Sequence, residues 1–352
     1  MKTYLNSIST ALPTYDVHAK FIDYVSDSLH NTREQRLFLR MAERAQIGHR
    51  YSFLEPTVKI NQLDEAGFYT RGQFPTTAER MQFYKAHALK LACDALDKLF
   101  ETIVPQSITH LLVTSCTGFY APGLDLQIVQ HYGLNSSVER SIVGFMGCNA
   151  AMNVLKLARH IVRSDGTAKV LIVNIELCTL HLQESTNMEQ LLSFLIFGDG
   201  CAASVVSADP VGIELHSFHC AILPESNEHI TWHIGDQGFD MELSGKVPAA
   251  ISASLPSVLA SMLGDIKQED INLWAIHPGG RSVLDAVKDA LTLPESALDI
   301  SRDILRRYGN MSSATIMFVL KDMLALDKPG EGCAMAFGPG VTAETMRFSM
   351  GG

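Results

Sequence analysis

The sequence predicts an α/β fold built from two duplicated halves, with helices layered on both faces of buried sheets. Three observations point there. The order of elements in the first half returns in the second at a constant spacing. The strands that repeat are continuous apolar runs, the pattern of strands covered on both sides rather than on one. The chain also has the material for a large core, with 352 residues, 47% hydrophobic and 19% charged. Its mean hydropathy is +0.10, which excludes disordered and collagen-like readings.

An apolar-periodic helix at residues 87–100 precedes the β-rich run Ile-Thr-His-Leu-Leu-Val-Thr at 108–114, and a helix-like run at 250–263 precedes Ile-Asn-Leu-Trp-Ala-Ile-His at 271–277. Gly147-Cys148 opens a helical pattern through Ala151, Val154, Leu155, Ala158 and Ile161, and Gly309-Asn310 opens another through Ile316, Val319, Leu320 and Met323. The strand run 169–173 corresponds to 332–336. The offset from Ile108 to Ile271 recurs, within one residue, from Cys148 to Asn310 and from Lys169 to Gly332. Such a pseudo-dyad brings loops from both halves to one site. The division is expected at residues 1–207, carrying the cysteine, and 208–352, carrying the histidine and asparagine, because the apolar run 201–206 ends in Ala208-Asp209-Pro210.

With 28 Lys and Arg against 38 Asp and Glu, the net charge is −10, and the cations are scattered along the chain. No basic footprint for nucleic acid or an anionic membrane emerges, so a small-molecule partner is expected. The uncharged stretch 102–124 is interrupted by Pro105, Gln106, His110 and Pro122, whereas a membrane span needs roughly 20 mainly apolar residues. The start of the chain has no apolar signal region, so the expected location is the cytoplasm. Seven cysteines without a C-x-x-C pair indicate reduced thiols.

Cys148 lies where a strand turns into a helix, and a thiol at a helix N-terminus gains thiolate character from the macrodipole. The same residue also fits as a small buried side chain. His277, in Ile-His-Pro-Gly-Gly-Arg, emerges at the C-terminal end of a buried strand, where α/β sites form; it could equally close the strand by bonding backbone. Asn310 repeats the position of Cys148 and would otherwise serve as an N-cap. The duplication sets Cys148 and Asn310 at matching helix starts, with His277 on the strand equivalent to the one before Cys116.

These residues, with Thr117-Gly118, Pro122-Gly123, Phe197-Gly198-Asp199-Gly200, His277-Pro278-Gly279-Gly280, Gly309-Asn310-Met311-Ser312-Ser313 and Phe337-Gly338-Pro339-Gly340, run in an order that resembles the type III polyketide synthases. These form the chalcone-synthase-like family of acyltransferases, and the run 145–148 with 150–153 is most similar to bacterial members that make long-chain alkylpyrones. The resemblance covers nearly the whole chain. It implies a thiolase-like five-layered αβαβα fold, a homodimer, acyl-CoA and malonyl-CoA as substrates, and no cofactor beyond those thioesters. By it, Cys148 carries the acyl chain, His277 and Asn310 donate to the thioester carbonyl, and Phe197 packs beside the malonyl carboxylate. Met241 stands where aromatic-starter relatives carry an aromatic residue, and Cys116 and Ala121 stand at pocket positions, Ala121 towards the neighbouring subunit. His181 and Trp232 approach the cavity, with Ser312 and the Gly338-Pro339 turn lining it. Arg44, His49 and Arg50 fall where the family contacts CoA phosphates; a solvated helix face is the alternative.

Two turns match G-x-G-x-x-A, at Gly198 and Gly338, but neither has the βαβ context and downstream acid of a dinucleotide site. His216 and His219 alternate across a strand, which argues against a metal cluster with Cys220. The competing readings are an initiation ketosynthase fed by acyl carrier protein and an NAD(P)-dependent oxidoreductase.

Overall fold

The computed structural model describes every residue except His30, Asp265, Asp327 and Gly352. In chain order the strands are β1 (Tyr4–Ala11), β2 (Tyr15–Asp16), β3 (Tyr51–Ser52), β4 (His110–Ser115), β5 (Glu139–Gly144), β6 (Val170–Leu177), β7 (Asp199–Ser207), β8 (Ile213–Ile222), β9 (Ile230–Gly235), β10 (Gly238–Leu243), β11 (Ile271–Ile276), β12 (Gly330–Gly338) and β13 (Thr342–Met350). The helices are α1 (His18–Ser28), α2 (Thr32–Ala45), α3 (Thr77–Phe100), α4 (Leu124–Tyr132), α5 (Ala150–Ser164), α6 (Met188–Ile196), α7 (Val247–Leu263), α8 (Arg281–Ala290), α9 (Asp299–Tyr308) and α10 (Thr315–Ala325). None of the described helices is long and apolar enough to cross a membrane.

Two sheets meet edge to edge in the order β11-β12-β13-β8-β1-β7-β6-β4-β5. The seam is short: β1 and β8 pair only at Tyr4–Glu214 and Leu5–Ile213. Within the first sheet β4 runs parallel to β5 and β6, and in the second β11 runs parallel to β12, which is the duplicated pattern. Both sheets fold over a shared middle layer, with α5 packing on β6 and β7 from one half and on β12 and β13 from the other, and α10 spanning β11, β1 and β7. Outer helices α3 and α4 cover the first sheet; α7 and α9 cover the second. The result is helix, sheet, helix, sheet, helix.

Strand alternation explains why both faces must be apolar. Leu112, Val170, Ile172 and Ala202 face the middle layer, while Leu111, Val113, Leu171 and Val173 face α3. In the second half Ala334 and Ala336 face inward, and Cys333, Met335 and Phe337 outward. Every residue of β6 and of β7 is buried. Small residues on the middle helices, such as Ala151 and Ala158, let the sheets approach.

Two elements depart from the sequence expectation. The helix read at residues 87–100 starts at Thr77, where Thr76 and Glu79 form a reciprocal capping box. The two repeat helices also start unequally. Helix α5 begins two residues after Cys148, but α10 begins only at Thr315, because Ser312 takes a positive φ of 47° and a tight turn, Ser312–Ala314, intervenes.

Leu155 on α5 is fully buried in the cluster shared by both sheets. Leu155→Ala should therefore destabilise the protein by about 2–5 kcal/mol, the usual cost of a core cavity, read as a lowered midpoint in denaturant unfolding with an unchanged slope.

Candidate active site

The catalytic candidates meet where the two halves press together. Cys148 follows β5 through Gly147, whose φ of 71° and contact with Pro339, 2.4 Å from an added Cβ, leave room for glycine alone. The Gly147-Cys148 and Gly338-Pro339 motifs, remote in sequence, are thus one packed contact. His277 follows β11, its N–H donating to Met335 O at 2.8 Å. Asn310 is held to the other half by main-chain bonds: its N–H donates to Ile196 O at 2.7 Å, and the Gly198 N–H donates to its carbonyl at 3.0 Å. That bridge sets Phe197 beside Asn310. Gly309, at φ 69°, allows it, since a Cβ there would lie 2.7 Å from Ile196 O.

The side chains converge on one cavity of ≈ 850 Å³, its open mouth included, lined by Cys148, His277, Asn310 and Phe197. The Asn310 carboxamide is oriented from both ends: Oδ1 accepts from the Ser312 N–H at 2.8 Å, and Nδ2 donates to Gly279 O at 3.3 Å while lying 3.8 Å from Cys148 Sγ. Asn310 therefore closes the turn before the Ser312–Ala314 segment rather than capping a helix, since the cap positions there fall to Met311 and Ala314, and it presents its amide to the cavity. His277 is 1% exposed, and neither imidazole nitrogen has a partner. A buried donor left unmade costs about 1–3 kcal/mol, so the cavity holds an imidazole poised for a ligand rather than for the backbone.

The electrostatics correct one sequence expectation. Burial pushes the Cys148 thiol up to about 11, against hydrogen bonds from Ser312 and Asn310 that favour the thiolate. The helix terminus does not dominate, because the tight turn Gly147–Asn149 separates Cys148 from α5. Burial drops His277 to about 3, so its imidazole is neutral at physiological pH.

Beneath Cys148 lies a carboxylate not anticipated from sequence. Glu176 accepts from Cys116 N at 2.9 Å and Thr117 Oγ1 at 2.9 Å in its own half, and from Ser313 Oγ at 2.6 Å in the other. Burial raises it to about 7, offset by those bonds. The available signal was a lone acid inside the largely apolar strand β6, whose only other polar residue is Asn174.

The remaining wall is rigid. Trp232 donates from Nε1 to Cys116 O at 2.9 Å and pairs across the hairpin with Met241. His181 donates from Nε2 to Thr117 O at 2.7 Å, accepts the Phe239 N–H at Nδ1 and stacks on Phe239 with centroids 4.1 Å apart. Both its nitrogens are used, so it shapes the cavity without polarising it. Cys116, Met241, His181, Trp232, Ser312, Gly338 and Pro339 all line the space. Ala121 does not: it is exposed on the turn before α4, outside this chain's cavity. Among the described residues no His, Cys, Asp and Glu cluster is placed to hold a metal, and His216 is bonded to Ser349 Oγ at 2.9 Å.

The three residues expected at CoA phosphates separate. Arg50 is buried and structural, donating to Phe194 O at 2.9 Å, Phe197 O at 2.7 Å and His18 Nδ1 at 2.9 Å. His49 is paired with Asp16 at 2.7 Å. Only Arg44 reaches the entrance, an open groove that it lines with Arg40 and Arg281 and that shares Leu243, Val247, Gly279 and Val283 with the cavity. Arg40 and Arg281 escaped sequence reasoning because the groove joins α2, α6 and α8. Arg44→Ala should raise the KM for an acyl-CoA with the thermal midpoint unchanged, whereas Arg50→Ala should lower the midpoint by several degrees, because it strands two buried carbonyls; steady-state kinetics and thermal unfolding of both variants read this out.

The chain matches the family model for the N-terminal domain of chalcone and stilbene synthases over residues 2–210 and the C-terminal domain model over 214–350. It is 33% identical over 336 residues to the alpha-pyrone synthesis polyketide synthase-like Pks18 of Mycobacterium tuberculosis, covering 90% of this chain and 86% of that protein. Among solved structures it is similar to PKS-I of the brown alga Ectocarpus siliculosus, with TM-score 0.89, 27% identity and 99% and 98% of the two chains covered. The C-terminal type III polyketide synthase domain of Steely1 from Dictyostelium shares the fold, with TM-score 0.91, 22% identity and 99% of each chain covered. The thiolase-like layering, the meeting of Cys148, His277 and Asn310 and these similarities lead to one conclusion: the chain belongs to the chalcone and stilbene synthase family and is a type III polyketide synthase, an acyltransferase acting on CoA thioesters.

Proposed function

We propose that this synthase loads a medium- or long-chain acyl group from its CoA thioester onto Cys148, extends it with malonyl-CoA and cyclises the product to an alkylpyrone or alkylresorcinol. Neutral His277 takes the Cys148 proton as Sγ attacks the starter carbonyl, the new thioester forms as the bond to the CoA sulfur breaks, and the imidazolium returns that proton so that CoA leaves as the thiol. Malonyl-CoA then loses CO₂, and the enolate attacks the Cys148 thioester, expelling the thiolate. The observation that carries this reading is the meeting at Cys148 of the Asn310 amide, whose Nδ2 lies 3.8 Å from Sγ, and the unpartnered His277 ring, in a buried, largely apolar cavity where hydrogen bonds to a developing oxyanion are strongest. No cofactor beyond the CoA thioesters is required, because decarboxylation itself supplies the carbanion.

The apolar starter is supported by the lining. Phe194, Ile230, Met241, Leu243 and Val247 surround the space beyond Cys148, and Met241 is unbranched and adaptable. Behind Cys178, Phe194 and Phe197 lies a second, partly open pocket of ≈ 500 Å³, its open side included, lined by Phe21, Leu54, Leu63 and Leu182 together with Lys20 and Arg50. Each methylene buried contributes about 0.8 kcal/mol. We also read the protein as a cytoplasmic homodimer that binds no nucleic acid. Its β5 is one edge of the sheet, with Ile142 on it 48% exposed and Met146, just past its end, 40% exposed, and Ile142 packs near Gly123, two residues from Ala121. A monomer in sedimentation at micromolar concentration would count against the dimer.

Cys148→Ala should abolish condensation and leave the fold intact, and His277→Ala and Asn310→Ala should each slow malonyl-CoA decarboxylation by about 10²–10³-fold, followed as CO₂ release; wild-type rates in either variant would refute the assigned roles. With an acyl-CoA panel and malonyl-CoA, products weighed by mass spectrometry, kcat/KM should rise from C6 to about C12 as burial accumulates, and Met241→Trp should move the optimum to shorter chains. Acetyl-CoA as the best starter would overturn the apolar reading.

A further inference from the structure

Folding gathers cations that the sequence scatters. On α2, Phe38 and Ala42 pack inward, which leaves Arg33, Arg36, Arg40 and Arg44 exposed on the outer side, opposed on that helix only by Glu34 and Glu43. None of the four arginines makes an ion pair with the described residues. Between them, Leu37 is 45% and Leu39 42% exposed. This mixed basic and apolar face belongs to a chain of net charge −10, and it runs into the groove that opens on the cavity, which Leu37, Arg40 and Arg44 line.

A CoA head group accounts for the groove end of this face but not for the rest. Arg33 and Arg36 lie outside the groove, and at 1.5 Å per residue Arg33 is about 10 Å along the axis from Arg40. A lipid surface fits poorly, because an interfacial helix needs a broad apolar face, whereas that of α2 is already packed inward and the exposed leucines sit among Glu34 and Glu43. Carboxylates on a small protein would satisfy the arginines, and a contact of a few apolar side chains would cover Leu37 and Leu39, the composition of a transient, electrostatically steered interface.

We propose that the outer face of α2 docks an acidic acyl-carrier protein, which delivers the starter as a phosphopantetheine thioester through the groove that also admits CoA thioesters. The inference rests on acyl loading at Cys148 as proposed above. In the transfer, Cys148 Sγ bonds to the acyl carbon, the bond from that carbon to the phosphopantetheine sulfur breaks, and the proton lost by Cys148 ends on the carrier thiol. No oxidant or reductant is involved.

The test compares lauroyl-acyl carrier protein with lauroyl-CoA, each supplied to the wild-type protein and to the Arg33→Glu/Arg36→Glu variant, with acylation of Cys148 followed by intact mass. The expected result is loading from both donors by wild type, a loss of about tenfold or more in the carrier-dependent rate in the variant, and a CoA-dependent rate within twofold. Carrier-dependent loading should also fall as salt rises. Loading from CoA alone overturns docking while sustaining the condensation reading; loading from neither donor refutes both. Equal loss with both donors, or no loss with either, also overturns it, as does binding of the wild type to phosphatidylglycerol vesicles that the double variant loses while carrier transfer stays intact.

Discussion

The two main-chain bonds that tie Asn310 to the strand-like segment 196–198 hold the site together. They join a residue of the second half to the end of α6 in the first, and they do so with backbone groups, which cannot drift with side-chain rotamers. Phe197 is thereby set beside Asn310, and Arg50 fastens the same segment by donating to the Phe194 and Phe197 carbonyls. Glu176 provides the second tie, gripping Thr117 on one side and Ser313 on the other. A buried carboxylate is tolerated there because its acceptor sites are filled by convergent donors. Distortion of either tie would move Asn310 relative to Cys148, and donors to an oxyanion are sensitive to small displacements.

Burial has two opposite consequences in the same cavity. It raises the cost of a lone charge, which is why the thiol of Cys148 is pushed up and the imidazole of His277 pushed down. It also magnifies every interaction with charge that develops during reaction, since no water reorganises to screen it. Passing a proton from thiol to imidazole makes a pair of opposite charges rather than one isolated charge, and an enolate arriving next to Asn310 meets a donor already aimed. His181, by contrast, spends both nitrogens on Thr117 and Phe239 and behaves as a rigid wall.

The entrance and the interior select by different physics. The interior is apolar and rewards each buried methylene, whereas the mouth presents Arg40, Arg44 and Arg281 to an anionic carrier of the acyl group. Under the proposed function, this separation assigns recognition of the handle to charge and of the cargo to length. Helix α2 serves both, with Phe38 in the core and the arginine face in solvent.

By itself the sequence determined the duplicated α/β architecture, since apolar strands and constant spacing reflect local pattern and backbone period, and it singled out Cys148, His277 and Asn310 at strand and helix ends, with Phe197 added by the family resemblance. Arg50 shows where that stops: its neighbours suggested phosphate contact, but tertiary packing buried it against two carbonyls that come from more than 140 positions away in the chain. The same holds for Glu176, for the groove that joins α2 to α8, and for the exposed place of Ala121. Each depends on which segments of the two halves touch, and that is set by the packing of both sheets on the middle helices, a long-range condition that residue spacing does not encode.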